Sequence, residues 1–236
     1  MVSALILIQK ATPETIVQFH DQLSNELPTL KGKWSFSFKI FRNNPYSIAP
    51  ELAETSVTSS ESKFLYTLAP SYLVGSCISL INKNSACVFS NVIEEESAEI
   101  SNGSEFSIPD SHLHQGATTG LNDTFDFFVN QKMQSLWTQK QNIKGDGGQI
   151  YELENGSLII RTSNVFLHGI FKGLLIQIEV ENESSEHETS SLSEPFERVL
   201  SKYNIPRGKM SCNVLDSKLL DKYGDLCLQY SEILNF

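Results

Sequence analysis

Two kinds of hydrophobic spacing alternate along this chain, and they predict a mixture of strands and helices. Between Lys33 and Ile40, large apolar residues occupy every second position, with polar residues between them. Because side chains alternate across a strand, this spacing predicts a half-buried strand with a bulky inner face. Between Pro13 and Pro28 the apolar residues recur every three or four positions, which predicts an amphipathic helix. Thr12 precedes that helix and is a residue type that caps helices.

The same two patterns extend over the rest of the chain. Apolar or alternating stretches predict seven further strands, at residues 2–8, 63–68, 73–81, 86–90, 149–153, 157–165 and 171–180. Stripes at helical spacing predict three further helices, at about 122–137, 195–203 and 215–233. Asn155-Gly156 predicts a tight hairpin turn, and Gly145-Asp146-Gly147-Gly148 predicts a flexible turn.

Eight predicted strands with three or four helices favour the α+β class. Closing an antiparallel sheet removes exposed edges, which favours an eight-stranded, mainly antiparallel β-barrel with flanking α-helices. A chain of 236 residues with 40% hydrophobic residues can bury a sizeable core. We predict a single domain over residues 1–236, with polar acidic loops at about 91–118 and 181–194.

Charge is distributed unevenly along the chain. The formal net charge is −10, from 18 basic and 28 acidic residues. Residues 91–111 and 181–197 hold six carboxylates each and no Lys or Arg, so the remainder has 16 acidic against 18 basic residues. A nearly neutral body lacks the basic face that nucleic-acid binding requires, and we expect no direct nucleic-acid contact.

The chain has no pattern typical of a membrane or secreted protein. The apolar run from Ala4 to Ile8 is far shorter than the ~20 residues of a spanning helix, and no basic region precedes it. The four cysteines, at positions 77, 87, 212 and 227, are widely spaced and include no C-x-x-C pair. We therefore expect an intracellular protein with reduced thiols and no membrane contact.

Short motifs towards both ends of the chain carry a family resemblance. They are Ala11-Thr12-Pro13, Leu23-Ser24-Asn25, Trp34, Phe38, Phe41-Arg42, Lys144-Gly145-Asp146 followed by Gly148, and Phe171-Lys172-Gly173-Leu174-Leu175-Ile176. In this order they resemble the subunit 20 family of Mediator, the coactivator that bridges transcription factors and RNA polymerase II. The resemblance covers roughly residues 1–42 and 120–180, and its motifs are specific only when taken together.

This resemblance implies both a fold and a role. It implies an eight-stranded barrel with helices packed outside, in a non-enzymatic subunit of the Mediator head module in the nucleus. The implied partners are Mediator subunit 18 in a direct heterodimer, the C-terminal segment of subunit 8, and the TATA-binding protein with the RNA polymerase II machinery. No cofactor, metal ion or catalytic residue is implied.

Five residues near the end of the helix predicted at 122–137 are candidates for partner binding: Trp137, Gln139, Gln141, Ile143 and Lys144. Polar side chains mixed with large apolar groups are typical of an interface rim around an anchor. Trp137 also belongs to the apolar stripe of the predicted helix, and a core position is its default interpretation.

Glu179 and Glu181 provide an enzymatic alternative. Alternate carboxylates on a barrel strand resemble the metal-binding acids of tunnel-shaped triphosphatases, which hold a divalent cation against a phosphate. Such a tunnel also needs inward Lys and Arg side chains, but residues 84–131 contain none, and Lys33 and Lys39 lie opposite the bulky stripe of their strand. We therefore expect both glutamates on the solvent face of an outer strand, and no enzymatic activity.

Other candidate sites are weaker still. His112 and His114 have the spacing of metal ligands, but no cluster of Cys, Asp or Glu completes a site beside them. The segment 145–148 lacks the Lys-Ser/Thr of a phosphate-binding loop. A ligand-binding barrel needs an open lumen, which the aromatic residues of the strand at 33–40 are large enough to fill.

Overall fold

Ten strands and four α-helices make up the part of the chain that the computed structural model describes, which is residues 2–44, 63–83, 85–90, 116–118, 124–181, 194–212 and 222–236. The strands are β1 (Val2–Ile8), β2 (Thr29–Asn43), β3 (Phe64–Pro70), β4 (Ser76–Ile81), β5 (Ser85–Ser90), β6 (Gly116–Thr118), β7 (Trp137–Leu153), β8 (Leu158–Leu167), β9 (Ile170–Val180) and β10 (Lys209–Cys212). The helices are α1 (Pro13–Asn25), α2 (Phe125–Lys132), α3 (Glu194–Lys202) and α4 (Lys222–Ile233).

The strands are hydrogen-bonded in the order β10-β1-β9-β8-β7-β2-β3-β4-β5-β6. Strand β1 pairs antiparallel with β10 and β9, β8 with β7 and β9, and β4 with β3 and β5, whereas β5 and β6 are parallel. The predicted α+β class, with a mainly antiparallel sheet and accompanying helices, is confirmed. The described strands number ten rather than eight because β6 and β10 form where no strand was predicted. The order of the paired strands begins at β10 and ends at β6, so the predicted barrel is open.

Strand β7 differs most from the prediction. It starts at Trp137, so the helix predicted to reach that residue ends at Lys132 as α2. The segment 145–148 is not a turn but lies inside this continuous strand, where Gly147 has a φ of 65°. The register with β8 shifts between Asp146 and Gln149, which marks a β-bulge. A bulge accommodates the glycine-rich sequence without ending the strand, and the predicted flexible turn was therefore wrong.

The first helix agrees with its sequence signals. Thr12 is the N-cap of α1, its side-chain oxygen accepts a hydrogen bond from the Thr15 backbone N–H at 3.3 Å, and Pro13 is the first helical residue. The helix ends at Asn25, so Leu27, which falls within the predicted helix, lies beyond it and is almost fully exposed with a φ of 50°.

The predicted hairpin at Asn155-Gly156 is confirmed, but its loop is longer than two residues. Leu153 of β7 pairs with Leu158 of β8, and a 3-10 turn at Glu154–Gly156 begins the connection. The prediction of a strand over residues 73–81 was also too long, because 73–75 belong to the turn that precedes β4.

Some predictions fall outside the described ranges. These include the two histidines at 112 and 114, most of the acidic loops at 91–118 and 181–194, the first residues of the helix predicted at about 122–137, and the start of the last predicted helix at 215–221. Within the described residues no helix is long and apolar enough to cross a membrane. All four cysteines are free thiols, as predicted, with Cys77 and Cys227 buried.

The described residues form two compact units. The first unit comprises residues 1–38 and 142–236, and the second comprises residues 39–141. Strands β2 and β7 contribute residues to both units. The single domain over residues 1–236 stays a prediction.

One face of the sheet in the first unit packs against α1 and α3. Its hydrophobic cluster combines apolar side chains of β1, β7, β8 and β9 with those of the two helices. The helix residues in this cluster are Phe19 and Leu23 of α1 and Phe196 and Val199 of α3. Burial of these side chains is worth about 1.5–3 kcal/mol each, which is sufficient to hold both helices on the sheet.

The opposite face of the same sheet is covered by α4. Tyr230 of α4 packs edge-on against Phe36, with ring centroids 5.1 Å apart, and lies 5.9 Å from Phe38. On β9, Leu175 and Gln177 face this side and are fully buried. The prediction that this face of β9 is open to solvent was therefore wrong, because a helix covers it.

The second unit has a smaller hydrophobic cluster formed by Phe41, Leu65 and Val129, with Phe125, Met133 and Trp137 packed against it. Lys39, which was predicted to face solvent, instead pairs with Asp126 at 2.6 Å, and the two side chains are only 17% and 9% exposed. Burial raises the pKa of Asp126, but hydrogen bonds from Lys39 and Thr124 outweigh burial, so the pKa is lowered from its ordinary value of 3.8.

The buried pair of Lys39 and Asp126 gives the first testable prediction. Lys39→Met should lower the free energy of unfolding by about 3 kcal/mol, because it leaves a buried carboxylate without its cation. Lys202→Met is the matched control, since Lys202 pairs with Glu154 at the same 2.6 Å but both side chains are exposed, and its effect should be small. Urea denaturation of the two variants measures this difference, and equal losses would contradict it.

The close approach of β9 to β1 gives a second prediction. Gly173 has a φ of 150°, and a Cβ there would lie 2.5 Å from the Ile8 carbonyl oxygen, whereas Gly32 has a φ of 134° and nothing within 4 Å. Both alanine variants have the unfavourable φ, but only Gly173→Ala adds a clash with backbone. We expect Gly173→Ala to cost at least about 1 kcal/mol more than Gly32→Ala in thermal or urea unfolding. Similar stabilities would show that β1 and β9 are further apart.

The contact between α1 and β7 gives a third prediction, which concerns pH. His20 Nδ1 lies 2.5 Å from the Tyr151 hydroxyl, which donates to Gln149 Oε1 at 2.7 Å. Burial lowers the pKa of His20 below its ordinary 6.5, and Asp21 opposes this only in part. The neutral imidazole therefore stabilises the folded state above pH 6.5, and this contribution is lost as the pH falls through the lower folded pKa.

His20→Gln should accordingly lose less unfolding free energy than the wild type when the pH is lowered from about 7 to about 5. His168→Asn, at an exposed turn residue with a φ of 51°, is the control and should keep the wild-type pH dependence. Denaturation curves at a series of pH values provide the measurement. A pH dependence that is the same in His20→Gln and the wild type would exclude this role for His20.

Candidate partner-binding surface

Strand β7 carries all five residues predicted to bind partners. Trp137, Gln139 and Gln141 belong to the second unit, and Ile143 and Lys144 belong to the first. Trp137 is half-buried and packs against the hydrophobic cluster of the second unit, and Ile143 is fully buried. Gln139 and Lys144 are exposed, and Gln141 is half-buried. The structure thus makes the two apolar residues part of the cores and leaves the polar ones at the surface.

The hairpin formed by β8 and β9 lies beside Lys144 in the first unit. Lys144 pairs with Phe166 of β8, two residues before the turn of this hairpin. The turn consists of His168 and Gly169, with φ values of 51° and 78°. Two consecutive positive φ values are typical of the type I′ turn, whose twist matches that of the flanking strands. The end of the hairpin is therefore a regular structure rather than an irregular loop.

Bulky apolar side chains surround this turn. Phe166 pairs with Phe171 across the hairpin, and their ring centroids are 5.9 Å apart at an interplanar angle of 65°. Ile170 is 63% exposed and Phe171 is 40% exposed. We call the group of Lys144, Phe166, Ile170, Phe171 and Lys172 the hairpin patch. Single exposed apolar residues are common, but adjacent ones are typical of interaction sites.

Lysine side chains dominate the charges in and around the hairpin patch. Lys144 and Lys172 belong to the patch, and Lys33 lines a shallow depression of about 290 Å³ together with Asp146 and Gln149. Asp146 lies two positions from Lys144 on the same strand, and its Oδ1 accepts a hydrogen bond from the Gly147 N–H at 2.7 Å. Lys33 and Asp146 thus line the same depression, and the Asp146 carboxylate is bonded within its own strand.

The sequence predictions missed the apolar residues of the hairpin patch. Phe166 was placed outside the predicted strands, and Phe171 was taken only as part of a motif and the start of a strand. The usable signal is the position of Ile170 and Phe171 directly after a His-Gly turn. Strand residues next to a tight turn lie at the end of their strands, where the sheet meets solvent.

The two glutamates of the enzymatic alternative do not form a metal site with their described surroundings. Glu179 Oε1 forms a salt bridge with Arg161 Nη1 at 2.8 Å and accepts a hydrogen bond from Gln177 Nε2 at 2.9 Å, so its carboxylate is neutralised within the sheet. Glu181 is exposed beyond the end of β9. Over the described ranges, no group of three or more His, Cys, Asp or Glu side chains is placed to hold a metal ion. This geometry does not support the triphosphatase alternative.

Comparison with known proteins places the chain in a family. Residues 1–235 match the family described as "TATA-binding related factor (TRF) of subunit 20 of Mediator complex". A "Mediator of RNA polymerase II transcription subunit 20" from Scheffersomyces stipitis is 67% identical over 100% of both chains. The proteins of the same description from Eremothecium gossypii and Saccharomyces cerevisiae are 32% and 26% identical, over 99% and 98% of both chains. The resemblance seen in the sequence motifs is confirmed, and the chain belongs to the Mediator subunit 20 family.

Proposed function

We propose that this protein is a non-enzymatic subunit of the Mediator head module and supports RNA polymerase II transcription initiation in the nucleus through protein–protein contacts. The observation that carries this proposal is the family match over residues 1–235, together with a relative 67% identical over the whole chain. A relationship that extends over the full length of both chains involves the surface as well as the core. The proposed role is therefore that of the family.

The structure supports a role based on binding rather than catalysis. In the first unit, helices cover both faces of the sheet, with α1 and α3 on one side and α4 on the other. The Glu179 carboxylate is paired with Arg161. Ile170 and Phe171 are instead two exposed apolar residues that follow one another at a hairpin end, and adjacent exposed apolar groups are typical of protein interfaces.

The proposed partners are those of the family. Mediator subunit 18 forms a direct heterodimer with this subunit, and the C-terminal segment of subunit 8 attaches the pair to the head module. The TATA-binding protein and RNA polymerase II make further contacts in the initiation complex. No cofactor, nucleic acid or membrane takes part in this proposal.

The proposed contact region on this chain is the segment of β7 that carries Trp137, Gln139, Gln141, Ile143 and Lys144. Its polar members supply contact atoms at the surface, because Gln139 and Lys144 are exposed and Gln141 is half-buried. Its two apolar members belong to the cores and hold the strand in place. Variants of the polar residues are therefore the cleaner probes of binding.

A double variant tests this contact region. Gln141→Ala with Lys144→Glu should keep the wild-type melting curve, because neither side chain is part of a core. Binding to coexpressed subunit 18 and the subunit 8 segment should weaken by about tenfold, since reversing a charge at an interface rim opposes docking. Copurification after the melting curve has been measured provides the test.

Lys10→Glu is the matched control, because Lys10 is an exposed lysine of the first unit that lies outside β7. It should leave copurification unchanged. If the double variant also assembles normally, the interface lies elsewhere on the chain. If the wild-type protein purified from its native cell carries no Mediator subunits, the proposed function itself is wrong.

A further inference from the structure

We propose that the hairpin patch binds an acidic peptide segment with bulky apolar side chains, contributed by a neighbouring protein. This inference rests on the proposed function, since it names the chemistry of a partner for a subunit that acts through protein contacts. It concerns Phe166, Ile170 and Phe171, which no sequence prediction assigned to binding.

Large apolar side chains that are neighbours in the chain are exposed at the hairpin patch. Ile170 and Phe171 are consecutive, and the Phe171 ring packs against Phe166 across the hairpin. Covering these side chains removes apolar surface from water, at about 25 cal/mol for each Å². A partner gains this stabilisation only if it brings apolar side chains of its own.

Lysine side chains accompany these apolar residues. Lys144 is exposed and pairs with Phe166, and Lys172 follows Phe171 in the chain with its Nζ 5.8 Å from the Phe236 ring centroid. Lys33 lines the depression that Asp146 also lines. Asp146 is the acidic group of β7 closest in sequence to Lys144, and its carboxylate is bonded to the Gly147 N–H. A chain with a net charge of −10 thus presents a locally basic, apolar surface. The complementary ligand is acidic and apolar.

The backbone beneath the hairpin patch is preorganised for binding. The turn at His168 and Gly169 is a two-residue turn with both φ values positive. The register between β8 and β9 shifts next to Phe166, and Gly173 then fits closely against the end of β1. These features hold the backbone of β8 and β9 in one conformation before a ligand binds. Little backbone entropy is therefore lost on binding.

A peptide fits this surface better than a nucleic acid does. Single-stranded nucleic acids bind to aromatic faces that are free for stacking within a basic groove. The Phe166 and Phe171 rings instead pack against each other, and the most exposed apolar side chain is the aliphatic Ile170. The hairpin patch also contains lysine but no arginine.

Fluorescence anisotropy with the full chain and short labelled peptides tests the inference. The probe is a fluorescein-labelled repeat of Asp-Phe-Glu-Leu. The comparison peptides are a repeat of Asp-Ser-Glu-Ser, which is acidic without apolar groups, and a repeat of Lys-Phe-Arg-Leu, which is apolar and basic. A labelled single-stranded RNA completes the set. We expect the acidic apolar peptide to bind most tightly and to bind more weakly at higher salt.

Two variants of the hairpin patch separate the apolar and charged contributions. Ile170→Thr with Phe171→Thr removes the apolar groups. Lys144→Glu with Lys172→Glu reverses the charges and keeps the apolar side chains of Ile170 and Phe171. Each should weaken binding of the acidic apolar peptide by about tenfold or more. The controls are Leu30→Thr, at a strand leucine 62% exposed in the same unit, and Lys10→Glu. Both controls should bind the peptide as the wild type does.

The inference is overturned if the wild type does not bind the acidic apolar peptide, or binds a comparison peptide or the RNA equally well. It is also overturned if both variants of the hairpin patch retain binding, or if the controls lose it to the same extent. The charge-reversed variant keeps the inference testable even if the threonine variant fails to fold.

Purification of Mediator subunits with the wild-type chain is measured separately. If no Mediator subunits copurify, the proposed function is contradicted, but the measured peptide binding still stands. Conversely, a failure of peptide binding with normal copurification overturns this inference alone.

Discussion

The fully buried side chain of Gln177 on β9 connects the elements on which the first unit depends. Its Oε1 accepts a hydrogen bond from the Tyr230 hydroxyl of α4 at 3.3 Å, and its Nε2 donates to Glu179 Oε1 at 2.9 Å. The same Glu179 oxygen forms a salt bridge with Arg161 Nη1 of β8 at 2.8 Å. Buried polar groups are costly when their hydrogen bonds are broken, so this network requires α4 to stay in one position over the sheet.

With α4 in that position, the sheet of the first unit has helices on both faces. This explains why neither of the two sets of alternating side chains on β9 faces solvent. It also explains why the Glu179 carboxylate pairs with Arg161 within the sheet. When helices cover both faces of a sheet, its strand ends and turns are the parts that ligands can reach. The hairpin patch lies at such a turn, where Ile170 and Phe171 remain in contact with water.

The sequence predicted elements whose cause is local. The helix α1 follows from its apolar spacing and the cap at Thr12, and the inner face of β2 follows from its alternating aromatic residues.

The bulge in β7 was missed because its cause is tertiary: a Cβ at Gly148 would lie 2.2 Å from the Thr162 carbonyl oxygen of the neighbouring strand. The pairing of Lys39 with Asp126 was missed for the same reason, since the two residues are distant in sequence. The polar members of the predicted contact segment are at the surface. The exposure of Ile170 depends on the tertiary packing around the hairpin, which the spacing of apolar residues along the chain does not show.

Hydrogen–deuterium exchange followed by mass spectrometry tests the central claim most directly, which is that α4 closes the second face of the sheet. The account predicts that the backbone amides of α4 and of residues 174–178 in β9 exchange slowly and together, because release of the helix exposes both. The turn at His168 and Gly169 should exchange much faster. Rapid exchange throughout α4 while β9 stays protected would contradict the account, since it would show that the helix is not required to close the sheet.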